Sequence, residues 1–439
     1  MSPLRLSFLL LLPSVSVSVS GGPVWTVETA VATALRQNPD ATLARERIAA
    51  AEAMVQQADA AWLPQVTLSG GYTRTNSALG GLMNSLNQRA FSFDQNFNRP
   101  GAVDNLNLTG TVAYSLYSGG QATARREAAR AGIRASEMDL RTVQLQLSAE
   151  VVKTLLQLRK ARESAAALEV SVKTHEALLT NARLRFEAGQ LLKSDLLSLE
   201  VQTAQVRALL SSARRGAALA AQAFVFILGS DPSSDGIELA EHDPALAALA
   251  NPETSDVTQR PELLGLRERL RAAEAMVAAA RGGGRPNVNA FVSAQYDQGW
   301  VSDRHANSVQ GGVIVDFKVF DGGQVSGRIR QAAAELEQVK GQLRKATLQA
   351  GLEVEQARLA HADARERLAV TSAAVAQAEE SATLSRLRFE KGSLLASELI
   401  GSEGRLVEVR LSRTLAEADE RSSLIDLRRA LGLSPIALP

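Results

Sequence analysis

The stretch Leu184-Arg185-Phe186-Glu187-Ala188-Gly189, followed by Leu191-Leu192 and then Asp195-Leu196-Leu197, occurs twice in this chain. Its second copy reads Leu387-Arg388-Phe389-Glu390-Lys391-Gly392, followed by Leu394-Leu395 and Glu398-Leu399-Ile400. The two align without a gap, each where one long helical pattern ends and another begins. Gly189 and Gly392 stand at helix ends, where the chain needs positive φ and glycine supplies it without a steric cost. Ser194 and Ser397 are expected to cap the returning helices, each followed by an acid that suits the positive helix end. Each copy reads as the tip of a helical hairpin.

The duplication reaches well beyond the tips. The spacing that carries Phe186 to Phe389 also carries Gly119-Gly120-Gln121 to Gly322-Gly323-Gln324, and Leu228-Gly229 to Leu431-Gly432. A second, larger spacing carries Gln37-Asn38-Pro39 to Gln259-Arg260-Pro261, Ala51-Glu52-Ala53-Met54-Val55 to Ala273-Glu274-Ala275-Met276-Val277, and Pro64-Gln65-Val66 to Pro286-Asn287-Val288. The first copy thus holds a longer loop between its proline and its double glycine. Internal repetition of this kind overrides the domain count that length alone suggests.

Each copy has the same parts. A first helix is expected from Pro39 to Ala61, and again from Pro261 to Arg281. Period-two alternation follows: Val66, Leu68, Gly70 and Tyr72 against Gln65, Thr67, Ser69 and Gly71, then Leu106 through Leu116 against Asn107 through Ser115. The second copy alternates over 287–296, with Phe291 out of pattern, and over 309–319, with Ile314 out of pattern. These are four strands of about ten residues, each with one apolar and one polar face. The proline-free runs Gln121 to Glu187 and Gln324 to Glu390 read as helices roughly 100 Å long. The first helix and the returning helix, laid end to end, nearly match the long one. Two apolar stripes on the first long helix, Val143, Leu147 and Val151 beside Leu145, Val152 and Leu156, call for neighbours on both sides; a ring of helices and an ordinary antiparallel bundle both provide them.

The chain therefore divides into a leader at 1–20, a first repeat at 21–229 (strand pair 64–117, hairpin 121–228) and a connector at 230–258. A second repeat covers 259–432 (strand pair 286–320, hairpin 324–431), and 433–439 is a tail. In the leader, Arg5 precedes the apolar run Leu6 to Leu12 and small residues follow, the layout of a secretory signal peptide; the alternative is a short membrane anchor, for which the run is too brief.

Composition narrows the function classes. Apolar residues make up 45% of the 439 and aromatic ones only 4%, so the core is built from Ala, Leu and Val, as suits closely packed helices. A net charge of +1, with both signs mixed along the helices, argues against nucleic acid as a partner. With no cysteine, no disulfide, thiol nucleophile or Cys-based metal site is available. His175, His242, His305 and His361 are scattered, and no hydrolase, phosphate-loop or metalloprotease motif occurs; no catalytic residue, metal or cofactor is expected. Half-apolar strands on so long a helical body fit a membrane barrel, but four are too few to close one, so sister chains must supply the rest.

The duplicated Tyr117-Ser118-Gly119-Gly120 and Phe320-Asp321-Gly322-Gly323 turns and the duplicated Arg-Phe-x-x-Gly tips together resemble the TolC-like outer-membrane efflux channel family, over essentially the whole mature chain. The resemblance implies a mostly α fold with a membrane β-barrel portion: a homotrimer with one twelve-stranded barrel in outer-membrane lipid, continued by a periplasmic α-helical tunnel. It implies a passive conduit for efflux or type I secretion, partnered by a periplasmic adaptor and an inner-membrane transporter. By the same resemblance Arg185, Phe186, Gly189, Leu191 and Asp195 in one tip, and Arg388, Phe389, Gly392 and Leu394 in the other, contact the adaptor. Asp195 and Glu398 are pore or gate candidates, Glu398 at the position of a pore-lining acid. Helix-start preference explains the two acids equally well. Two departures stand out: Gly401 replaces a second acid found in some members, and Leu394 replaces a gating basic residue. For the loop Asn76 to Val103, with Phe91, Phe93 and Phe97, two readings fit: a fold over the barrel mouth, or a disordered surface loop. A periplasmic coiled-coil adaptor or scaffold is the competing function; it would need compact β domains flanking a single hairpin.

Overall fold

The computed structural model describes residues 24–94, 96, 98, 101–230, 237–240, 243–247 and 256–436; the expected leader, Phe97, His242 and part of the connector lie outside the described residues. In chain order the elements are β1 (Val24–Trp25), α1 (Val27–Gln37), α2 (Pro39–Asp59), β2 (Gln65–Thr75), α3 (Ala78–Asn87), β3 (Val103–Ser118), α4 (Gln121–Glu187), α5 (Lys193–Leu228), β4 (Glu238–Leu239), α6 (Pro244–Ala247), α7 (Pro261–Gly282), β5 (Asn287–Gly299), β6 (Arg304–Asp316), α8 (Gln324–Glu390) and α9 (Ala396–Ala430).

Two helices of 67 residues each, α4 and α8, run roughly 100 Å at about 1.5 Å per residue. Helix α4 packs against α2, α5, α7 and α9, which accounts for its two apolar stripes, whereas α8 packs chiefly against α7 and α9. The short helices meet end to end beside the long ones. Asn38 donates through Nδ2 to the carbonyl of Ile227 at 2.9 Å, and Arg260 donates through Nη1 to that of Ala430 at 3.1 Å. Each residue thus satisfies an orphan carbonyl at one helix's C-terminus while its own backbone starts the next helix with a proline. The dipoles run head to tail across both joints, a favourable arrangement. A Cβ on Gly229, which has φ 76°, would sit 2.7 Å from the Asn38 Cα, so the first joint admits only glycine.

Arg260 is 7% exposed and also pairs with Glu262 and, at 2.8 Å, with Glu353 of α8. Arg260→Ala is expected to cost about 3 kcal/mol, because it leaves Glu353 and a helix-end carbonyl without their partner. Thermal unfolding in detergent should show the loss, and Arg260→Lys should recover only part of it, since an ammonium cannot fork to both groups.

Halfway along α4, Val151, Leu155 and Leu158 form the main core with Phe224 of α5, Ile425 of α9 and the buried face of α1. Helix α1 was not expected. It is started by Thr26 and Thr29 in a reciprocal capping box. Asp243 accepts from the Val27 amide at 2.7 Å, and β1 pairs in parallel with β4. Arg159 and Arg162 of α4 donate to the carbonyls of Ala240 and Ile237, so this described part of the connector is laced to the long helix.

The remaining strands form one antiparallel sheet in the order β2-β3-β5-β6. Its register places Asn105, Asn107 and Thr109 across from Thr73, Gly71 and Ser69 on one face, and Leu106, Leu108 and Gly110 across from Tyr72, Gly70 and Leu68 on the other. Leu68 is 81% exposed and Val309 75% on the apolar face. Phe291, out of pattern in the sequence, lies directly opposite Gly312 and covers it. Strand β6 ends at Asp316, short of the expected 320, because Asp316 pairs with Asn287, the first residue of β5, and nothing remains beyond it to bond.

Candidate functional site

Both hairpin tips close in the same way. Gly189 N donates to the Phe186 carbonyl and Gln190 N to that of Arg185; Gly392 N and Ser393 N repeat this on Phe389 and Arg388. This pair of bonds, with φ 72° at Gly189 and 74° at Gly392, is the Schellman ending expected of those glycines. The serine caps are corrected. Helices α5 and α9 start at Lys193 and Ala396, each capped two residues before the expected serine, by Leu192 and Leu395, without a side-chain bond. Each leucine's carbonyl takes the amides of Asp195 and Leu196, or of Glu398 and Leu399, so Ser194 and Ser397 fall inside the first turn. Asp195 and Glu398 do occupy first turns, Asp195 half-buried and Glu398 exposed.

The tips are packed together unequally. Arg185 donates to the Phe389 carbonyl at 2.5 Å, and its guanidinium lies 5.0 Å from the centroid of the Phe389 ring. Phe389 is 2% exposed, seated on Leu179, Ala182 and Leu199 of the first hairpin and on Ala396 and Leu399 of its own, with Leu191 and Leu394 at the rim. Phe186, its counterpart, is 38% exposed, and Arg388 is exposed with no side-chain partner among the described residues. Two ion pairs behind the tips are duplicated at the spacing of the motif itself: Arg183–Glu200 with Arg386–Glu403, and Glu176–Arg207 with Glu379–Arg410. Sequence reasoning missed them, though the repeat spacing would have found them. Glu403 is buried and accepts from Arg386 Nε at 2.5 Å and from its Nη2 at 2.9 Å; that hydrogen bonding holds the guanidinium above its ordinary pKa.

At the opposite end, Gly119, Gly120, Gly322 and Gly323 all have positive φ, between 66° and 88°, where strand turns into helix. Ser118 accepts from the Ala122 amide, and Asp321 from those of Val325 and Gly323. Those amides, Val325 first, hold the Asp321 carboxyl below the usual range. The surroundings differ between the copies. A Cβ on Gly119 would meet the Gly282 carbonyl oxygen at 2.4 Å, while one on Gly322 would meet nothing within 4 Å.

The long first loop contains α3, a helix not expected there. Gln88, at its C-terminus, is fully buried and donates to the Asp104 carbonyl at 2.6 Å and to Asn105 Oδ1 at 2.9 Å, while Ser302 donates to its Oε1. Asn105 in turn donates to Asp297 at 2.6 Å, both on the sheet's polar face. Leu79, Met83 and Leu86 of α3 stay exposed. Among the described residues no group of three His, Asp or Glu could hold a metal, and no helix is long and apolar enough to cross a membrane.

Residues 30–230 and 257–433 match the family model for the outer membrane efflux protein. The outer membrane efflux protein BepC of Brucella suis biovar 1 (strain 1330) is 24% identical over 330 residues, 71% of this chain and 69% of that protein. Among solved structures, CusC superposes with a TM-score of 0.80 at 17% identity, over 95% of this chain and 96% of that one. The Campylobacter jejuni outer membrane channel CmeC does so at 0.79 and 16% identity, over 98% and 94%.

Proposed function

We infer, from the fact that this chain belongs to the outer membrane efflux protein family, that three copies of it form the outer-membrane conduit of a tripartite export machine. It is a passive channel and not an enzyme. The sheet carries this reading. It has one face of exposed apolar side chains, one polar face and two open edges, β2 and β6. In hydrocarbon, unpaired backbone groups cost several kcal/mol each, so a lipid-facing sheet must close. Four strands are half of the smallest single-chain barrel; three sheets joined β6 to β2 give twelve strands around an aqueous lumen. The helical body, arranged as two repeats, continues that wall into the periplasm. The adaptor or scaffold reading is dropped, because the matched family is an outer-membrane one and the strands form a single sheet rather than compact flanking domains.

In this reading a leader at 1–20 sends the chain across the inner membrane. The tips, with Arg185, Phe186, Gly189, Leu191, Arg388, Gly392 and Leu394, meet the periplasmic adaptor, and an inner-membrane transporter supplies the substrate; Phe389, expected to contact the adaptor, is buried beneath the tips and holds them instead. Asp195 and Glu398 line the narrow mouth. Fractionation tests the location: the protein should sediment with the outer membrane and leave it only in detergent, and recovery as a soluble periplasmic protein would refute the reading.

The loop with α3 lies over the polar, lumen-side face of β3 and β5, which supports a place inside the barrel mouth. Replacing 78–88 with a short Gly-Ser link is expected to raise single-channel conductance several-fold. An unchanged conductance puts the loop outside the permeation path.

A further inference from the structure

One tip contact is written twice in the sequence and made once in the chain. Arg185, at the end of α4, crosses to the second hairpin and engages both the carbonyl and the ring of Phe389. The residues in the equivalent places are Arg388, at the end of α8, and Phe186, at the end of α4; both are exposed. Their backbone is already set in the same geometry. The Phe389 carbonyl takes the Gly392 amide and the Arg185 guanidinium together, while the Phe186 carbonyl takes the Gly189 amide and keeps a lone pair for a second donor.

The wider interface repeats the same imbalance. Inside the chain, α4 of the first hairpin lies against α9 of the second. The equivalent surface of α5 carries the exposed apolar residues Leu197 and Val201, whose counterparts on α9, Ile400 and Gly404, are half-buried. A chain that presents one half of an interface on each flank, and has already built that interface once from its own repeats, is completed by another copy of itself.

We propose that Arg388 of each copy lies across Phe186 of the next, donating to its carbonyl and stacking on its ring. Six Arg–Phe contacts then ring the tip, three within chains and three between them. The proposal rests on the three-copy reading. It also distinguishes two roles in the tip motif: Arg185 and Phe389 lock one chain's hairpins together, and Arg388 and Phe186 lock neighbours.

The chain has no cysteine, so paired substitutions report cleanly. Phe186→Cys with Arg388→Cys, treated in isolated membranes with a short bismaleimide, should give covalent dimers and trimers on a denaturing gel. Arg185→Cys with Phe389→Cys should give a product that migrates as one chain, and each single substitution should give none. If the native mass of the same preparation is three chains and the first pair still yields no covalent dimer, the between-chain contact is refuted while the trimer stands. If the native mass is one chain, the three-copy reading is refuted and the proposal falls with it.

Discussion

Gly119→Val is expected to abolish the folded channel. At φ 66° any side chain costs about 1–2 kcal/mol, and here a Cβ would also lie 2.4 Å from the Gly282 carbonyl oxygen, inside van der Waals contact. Neither partner can yield. Gly282 ends α7, and a Cβ added to it would itself meet the Gly119 carbonyl at 2.9 Å, so the two backbones touch. Gly322→Val serves as the comparison. It has the same φ but open space within its own chain, so it should cost the chain only the conformational term. If neighbouring copies crowd Gly322 as α7 crowds Gly119, the Gly322 variant will fold yet fail to assemble. The yield of protein inserted in the outer membrane, with the fraction running as a heat-sensitive oligomer, separates the two outcomes. A Gly119→Val channel assembled at normal yield would show that the strand-to-helix turn tolerates a side chain.

Glu398→Ala is expected to lower the cation-over-anion permeability ratio of reconstituted channels several-fold without reducing assembly. Glu398 is exposed on the first turn of α9 and its side chain makes no hydrogen bond or ion pair among the described residues, so its removal breaks no polar contact within the chain. On the proposed pore role a trimer would present three such carboxylates around a narrow opening, where low-dielectric walls focus the field and favour cations. Asp195, its half-buried counterpart, is expected to matter less. If Glu398 serves only as a favourable charge at a helix start, the substitution will cost about 0.3–1 kcal/mol of stability and leave selectivity where it was. Unchanged reversal potentials in a salt gradient would support that smaller role.

Much of the fold was legible because its signals are long and repeated. The proline-free runs 121–187 and 324–390 and the glycines at 119, 120, 189, 322, 323 and 392 stand at the positions the sequence indicates, since helix period and positive φ are local requirements. The missed features were set by tertiary contact. Helix α3 lies in a stretch whose Gly80 and Gly81 weaken its helical signal, and it is held by Gln88 against residues more than ten positions away. Alternation continues through Phe317 and Val319, yet the strand stops where its partner begins. The unequal burial of Phe186 and Phe389, identical in motif, was not readable at all. It depends on which repeat the chain packs against internally and which it leaves open.

On the proposed reading this chain supplies one third of a closed wall. Native mass spectrometry of the detergent-extracted protein tests it most directly. A complex of three chains is expected, surviving mild detergent and falling to single chains on heating. A single chain, or any stable number other than three, would contradict it.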